Sequence, residues 1–366
     1  MELLPGPEPL LPVLEPRDEP RDAVWYAVVP AGTGPGESVG HTCTFLPSQE
    51  GGRGRILVVG GADPGGSFSH SYVINLDNHE WVRLACGGLT ARYEHCSFVP
   101  QSRPQSLWVF GGAQQTSNRN CIQELHMTDA EPRWRTVAAT GTPPSPRTYH
   151  SSSAGVGDRL YVFSGGEAGA APVQDSRLHV FDTACSSWSQ PATQGRRPAA
   201  RQGHVVAAVG SKIYVHGGMT GDKFFNDMYS LDSRTMKWKK VQTRGDVPPG
   251  VASHAAVVKD KHIYIFGGMT TDGATNLMYR FDSDTNIWVL LRFTGALPAS
   301  RLDHSMCLVP WRPSGETETR AEASETETRA GRPEASETET RHLAFVFGGM
   351  DTRGNVHHDC VVTVVK

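Results

Sequence analysis

The chain has 366 residues, a formal net charge of −3 and 38% hydrophobic residues. That balance argues against a general binder of nucleic acid or of a membrane surface, and no stretch approaches the roughly 20 apolar residues that span a bilayer. Length alone suggests two or three domains, but an internal repeat overrides it.

Residues 1–22 carry Pro5, Pro7, Pro9, Pro12, Pro16 and Pro20. They lack the basic start and long apolar core of a signal peptide. We read them as a flexible or extended tail, with no Pro-x-x-Pro flanked by a strong basic anchor.

From residue 23 to 366 three markers recur in phase. An apolar run ends in a glycine pair at Gly60-Gly61, Gly111-Gly112, Gly165-Gly166, Gly217-Gly218, Gly267-Gly268 and Gly348-Gly349. Successive pairs lie 51, 54, 52, 50 and 81 residues apart, the last interval being about 50 once an insertion is removed. Tryptophans recur at Trp25, Trp81, Trp134, Trp188, Trp238 and Trp288, and histidines at His41, His95, His150, His204, His254 and His304. A fixed period of this size marks a repeat architecture.

Each repeat reads as four short strands. In the fourth repeat these are His204 to Val209, Ile213 to His216, Met228 to Leu231, and a strand around Trp238, separated by Gly, Asp and Ser turns. No stretch holds a helical period over three turns, so the class is all-β. The glycines fit where backbone approaches closely or takes positive φ. The Trp side chains fit between adjacent sheets.

Arg-x-x-His precedes the first strand at Arg92/His95, Arg147/His150, Arg201/His204 and Arg301/His304. One histidine per repeat lies too far from the next around a ring for a shared metal. We expect each imidazole to tie down the first turn of its own repeat through backbone hydrogen bonds. Arg147 and Arg301 are candidates for exposure near one rim, where a guanidinium would grip a partner's carboxylate. Arg119 and Asp175, in predicted turns, complete the candidate partner-binding set.

Seven cysteines without a Cys-x-x-Cys pair read as reduced, mostly buried thiols. Residues 313–341 contain Glu-Thr-Glu-Thr-Arg three times and no large apolar residue. Such a segment reads as a disordered insertion in the last repeat: an entropic spacer or, alternatively, a regulated loop open to phosphorylation. The chain lacks Gly-x-Ser-x-Gly, His-Glu-x-x-His, a Walker loop and a dinucleotide fingerprint. We expect no catalytic, cofactor or metal residues, and no enzyme.

The three markers resemble the kelch repeat, in which about 50 residues form one blade of a β-propeller. The resemblance implies a six-bladed kelch β-propeller. Trp25 comes before the first histidine and no Trp follows Gly349, so the last blade is expected to be closed by an N-terminal strand, Trp25 to Val29 pairing with Cys360 to Val365.

Arg92-Tyr93-Glu94-His95, Asn118-Arg119-Asn120-Cys121, Pro143 to Thr148, Pro172-Val173-Gln174-Asp175, Arg301 to Cys307 and Pro310-Trp311 carry a closer resemblance, as does the single long insertion in the last blade. They are similar to a family of kelch-motif effectors of the late-endosomal Rab GTPase, isoform nine. That resemblance implies a cytoplasmic protein without membrane insertion, recruited to late endosomes by the GTP form of the Rab. It also implies transport to the trans-Golgi network and a FYVE-finger phosphoinositide kinase as a second partner. We expect a monomer. A kelch substrate adaptor and an actin-binding or scaffolding propeller are the alternatives. The first usually needs a further domain before the propeller. The second would be favoured by a basic rim, of which Lys237-Lys239-Lys240-Arg244 is the compact cluster in sequence, more simply a solvated strand edge.

Overall fold

The computed structural model describes residues 10–48, 51–148, 155–167, 171–312 and 340–366, and among these every regular element is a strand. The strands form six antiparallel four-stranded blades. Blade one runs Thr42–Leu46, Arg55–Val59, Ser71–Asn75 and Glu80–Arg83. Blade two holds Cys96–Phe98, Ser106–Phe110, Ile122–His126 and Arg135–Thr136; blade three, Gly155–Val156, Arg159–Phe163, Leu178–Asp182 and Ser187–Ser189. Blade four is built from Gln202–Val209, Lys212–Thr220, Met228–Asp232 and Lys237–Val241, and blade five from Ala255–Lys259, His262–Phe266, Met278–Asp282 and Ile287–Leu290. Blade six takes Ser305–Trp311, Arg341–Phe347 and Cys360–Val365 from the end of the chain and Trp25–Val28 from its beginning. First strands of neighbouring blades touch, blade six meeting blade one, so they line a common axis.

The closing strand pairs with Cys360–Val365 as expected, and it does so antiparallel, Trp25 opposite Thr363 and Val28 opposite Cys360. Closure of this kind leaves no free radial edge between the first and last blades. Short continuous apolar runs such as Ile263-Tyr264-Ile265 suit it because both faces of each blade are covered by a neighbour, so odd and even positions are alike buried.

The tryptophans act between blades, as their size suggests. Trp81 of blade one lies 5.6 Å from Phe347 of blade six. Trp188 packs 5.1 Å from Phe110, Trp238 5.3 Å from Phe163, and Trp25 4.9 Å from Phe266, each partner sitting at the end of the second strand of the preceding blade. Trp288 meets His216 at that position instead, at 5.0 Å. Each aromatic pair adds roughly 0.5–1.5 kcal/mol beyond its buried area.

Two expectations need correction. Residues 10–22 are docked rather than loose: Leu14 is fully buried and exchanges main-chain bonds with the closing strand (Leu14 N–H to Ala27 O, 2.9 Å; Ala27 N–H to Pro12 O, 2.8 Å). Arg53 donates to the Pro16 carbonyl, Trp311 Nε1 to Asp18 O at 3.0 Å, and Arg341 pairs with Glu19 and Asp22. The prolines suit a segment that bonds through carbonyls and has few N–H groups to satisfy. The second correction is a frame shift in blade three, where the glycine pair is Ser164-Gly165 and not Gly165-Gly166. Ser164 has φ +59° like Gly111 (+70°) and Gly217 (+67°), while Gly165 donates to Arg201 O as Gly112 does to Arg147 O. The Ser164 hydroxyl donates to Arg201 O and accepts from Arg201 N–H, both at 2.8 Å, offsetting the left-handed strain. The insertion expected at 313–341 falls, up to residue 339, outside the described residues.

Candidate interaction face

One end of the ring is built by the repeated markers. Among the described residues, the one before each repeat histidine is left-handed: Gly40, Glu94, Gly203, Ser253 and Asp303 have φ between +48° and +63°. Their backbones join across blades. Glu94 N–H donates to Gly40 O at 2.6 Å, Gly40 to Asp303 O at 2.9 Å, Asp303 to Ser253 O at 3.0 Å, and Ser253 to Gly203 O at 2.8 Å. This collar rims a cavity of about 310 Å³ lined by Tyr93, Glu94, Thr148, Glu167, Gln202 and Asp303 among others. Burial and the neighbouring Asp303 raise the Glu94 carboxyl to about 7, against a lowering hydrogen bond from Thr148. Hairpins Ala113–Gln114/Ser117–Asn118, Lys212–Thr220/Lys223–Phe224 and Met269–Thr270/Gly273–Ala274 rise around the same mouth.

The opposite mouth differs in chemistry. A cavity of about 360 Å³ there is lined by Phe45, Phe98, Val99, Val257, Val258 and Leu308, from the far ends of the first strands.

The histidines reach backward, not into their own first turns. His41 Nε2 lies 3.1 Å from Phe347 O of blade six, His95 Nε2 3.0 Å from Thr42 Oγ1 of blade one, and His254 Nε2 3.1 Å from His216 Nδ1 of blade four. The expected backbone tie is thus an inter-blade tie, because the left-handed residue before each imidazole turns it toward the preceding sheet. His150 lies outside the described residues. Burial, then the Arg201 charge, lowers His204 and His216 to about 3.

The four repeat arginines are fully buried, which corrects the expectation that Arg147 and Arg301 stand exposed at a rim. Each threads under its own blade. Arg301 donates to Ala299 O (3.1 Å), Gly348 O (3.0 Å) and both carboxylate oxygens of Asp359 (2.8 and 2.9 Å). Arg201 repeats this with Ala199 O, Gly217 O and Asp227, and Arg147 with Ser145 O and Ser164 O, with Asp175 3.9 Å away. Arg92 uses Gln123 Oε1 at 2.6 Å in place of a carboxylate. The fork geometry of guanidinium collects carbonyls that no shorter side chain could reach. The carboxylate grip foreseen for a partner is therefore made within the chain, and the signal for it was the Asp at the start of the third strand.

Arg119 and Asp175 sit on the collar side and are partly exposed. Arg119 bonds to Ala91 O at 3.1 Å and to Gln114. Burial opposes ionisation of Asp175, but hydrogen bonds from Arg177 and His179 outweigh it and hold the carboxyl well below the usual range. Among the described residues no group of three His, Cys, Asp or Glu side chains is placed to hold a metal. The seven cysteines are free thiols, and burial pushes Cys43 up to about 12.

A family model described as the KLHDC2/KLHL20/DRC7 Kelch-repeats domain matches residues 40–268 and 156–312. A protein named Rab9 effector protein with kelch motifs from Danio rerio is 60% identical over 97% of this chain and 99% of its own length. Proteins of the same name from Xenopus laevis and Homo sapiens are 56% and 52% identical, over 98% and 97% of this chain and 100% and 99% of theirs.

Proposed function

Because the chain belongs to the family of Rab9 effector proteins with kelch motifs, we propose that it is a non-enzymatic Rab effector that binds Rab9 in its GTP form. The observation that carries this is 52–60% identity over nearly the full length with proteins so named, on a scaffold whose repeat arginines are consumed internally. In this reading the rigid collar face recognises the Rab switch loops, which the γ-phosphate orders and hydrolysis releases. Arg119 and Asp175 lie in its contact zone, while Arg147 and Arg301 serve only to hold the loops. Nucleotide hydrolysis stays with the Rab. The protein acts as a monomer, recruited peripherally to late endosomes, and promotes transport toward the trans-Golgi network with a FYVE-finger phosphoinositide kinase as second partner. No helix of the described residues is long and apolar enough to cross a membrane.

The test is binding of the purified chain to Rab9 loaded with a non-hydrolysable GTP analogue and, in parallel, with GDP. At least a tenfold preference for the GTP form, about 1.4 kcal/mol, is expected. Equal or absent binding overturns the reading.

A further inference from the structure

The outer edge of blade four differs from the other blade edges. Its fourth strand reads Lys237-Trp238-Lys239-Lys240-Val241, and only Trp238 and Val241 turn inward. The strand pairs in parallel with Gln194–Gly195, Gln194 opposite Lys237 and Gly195 opposite Trp238. That register places Arg196 and Arg197, both exposed and about 40 residues earlier in the chain, beside the lysines. Arg244, also exposed, follows on the adjoining loop.

Arg196, Arg197, Lys237, Lys239, Lys240 and Arg244 make no ion pair and no side-chain hydrogen bond among the described residues. Two acids lie nearby and offset part of this charge, Asp232 standing opposite Lys237, though neither forms an ion pair with the six cations. Asp232 accepts the backbone N–H groups of Arg234 and Thr235, and Asp246 accepts that of Leu290. Elsewhere the exposed cations on fourth strands stand singly: Arg83 on blade one, and Arg135, paired with Asp129, on blade two. Lysines on an edge strand also deter sheet-to-sheet aggregation. Of the equivalent strands, Ser187–Ser189, Ile287–Leu290 and Trp25–Val28 carry no cation and Glu80–Arg83 and Arg135–Thr136 carry one each, so edge protection does not account for the concentration here. A local excess of this size inside a chain of net charge −3 is a separate electrostatic feature.

We propose that the outer edge of blade four is a docking surface for an anionic membrane, holding the propeller edge-on to the bilayer. Six cations without an ion pair lie along one strand edge, spread over two chain segments, which suits a planar field of lipid phosphates and carboxylates better than a single bound phosphate. No aromatic side chain is exposed among them to stack on bases, as single-stranded nucleic acid would require. Juxtamembrane cations of this kind act additively and within a Debye length of the surface. An edge-on pose leaves the collar face open sideways, toward a GTPase held at the same membrane. This inference rests on the effector reading for its biological setting but not for its chemistry.

The experiment is sedimentation of the full chain with phosphatidylcholine vesicles, with and without phosphatidylserine, at low and near-physiological salt. Rab9 binding and thermal melting are measured on the same preparations without lipid. The expected result is sedimentation only with phosphatidylserine, weakening as salt rises. The variant R196E/R197E/K237E/K239E should lose it at least tenfold while melting and GTP-dependent Rab9 binding stay unchanged. If that variant melts early, R196Q/R197Q/K237Q/K239Q replaces it, with an intermediate loss expected. Equal sedimentation with both vesicle types, sedimentation with neither, or full retention by the variants overturns the proposal. Loss of Rab9 binding by the edge variants with unchanged sedimentation also overturns it, in favour of a protein partner. Absent Rab9 binding by the parent chain with normal sedimentation counts against the effector reading alone.

Discussion

Arg196, Arg197 and Arg201 fall within six residues of one another, yet they do opposite things. Arg201 is fully buried and bonds to Ala199 O, Gly217 O and Asp227; Arg196 and Arg197 are exposed and unpaired. The difference is what the backbone offers. Beneath the collar, left-handed glycines aim carbonyls inward, and an Asp at the head of the third strand supplies the counter-charge. On the outer edge the neighbouring carboxylates, Asp232 and Asp246, accept backbone N–H groups and form no ion pair with the cations. A cation's role here is set by the acceptors around it, and residue type alone says little.

The comparison can be broken at several levels. Removing residues 1–30 takes away the closing strand, the fully buried Trp25 and its contacts with Phe266 and Phe293. Loss of a cooperative melt is expected, and an unchanged melting temperature would refute the closure. Next in size, Arg201→Ala and Arg301→Ala each leave a carboxylate and buried carbonyls without their donor. Each should cost about 3–5 kcal/mol in urea unfolding, whereas Arg196→Ala or Lys237→Ala should stay within about 0.5 kcal/mol. Similar losses for both groups would erase the distinction.

Acid sharpens it further. His204 and His216 are held neutral in the fold, with their pKa values lowered to about 3, while unfolded imidazoles take up protons near 6.5. The unfolded state therefore binds more protons below about pH 6.5. Their contribution should be flat above that value and fall by up to about 1.4 kcal/mol per pH unit and histidine between about pH 6.5 and 3, with Glu94, raised to about 7, acting in the opposite sense between about pH 7 and 4.5. His216→Phe installs the residue found at this position in four other blades (Phe110, Phe163, Phe266 and Phe347) and should flatten that fall, as read from denaturation midpoints at pH 7 and 5. The smallest effect is at Ser164. Ser164→Gly trades left-handed strain against two hydrogen bonds to Arg201 and should be near neutral, while Ser164→Ala keeps the strain and loses the bonds, costing about 2 kcal/mol.

Much of the fold was legible because strands, glycine pairs and tryptophans recur at one period, and the offset of Trp25 from His41 fixed how the ring closes. The frame in blade three was not, because Ser164-Gly165-Gly166 offers a glycine pair one residue late and only φ separates the choices. The buried arginines were misplaced because arginine is usually exposed, although Asp227 and Asp359, each at the head of a third strand, marked their partners. The docked segment at residues 10–22 was hidden by its prolines, which bind through carbonyls rather than by pattern. The basic edge required Gln194 to pair with Lys237, a contact no local window contains.

The most direct test is a titration of Rab9, loaded with a non-hydrolysable GTP analogue or with GDP, against the parent chain and a collar-face variant. Gln115→Arg/Asp222→Arg changes two exposed hairpin tips and no buried group. A tenfold or greater preference for the GTP form, lost in that variant but kept in the blade-four edge variant, is the predicted result. Equal affinity for both nucleotide states, or a collar-face variant that binds as the parent does, would contradict the account.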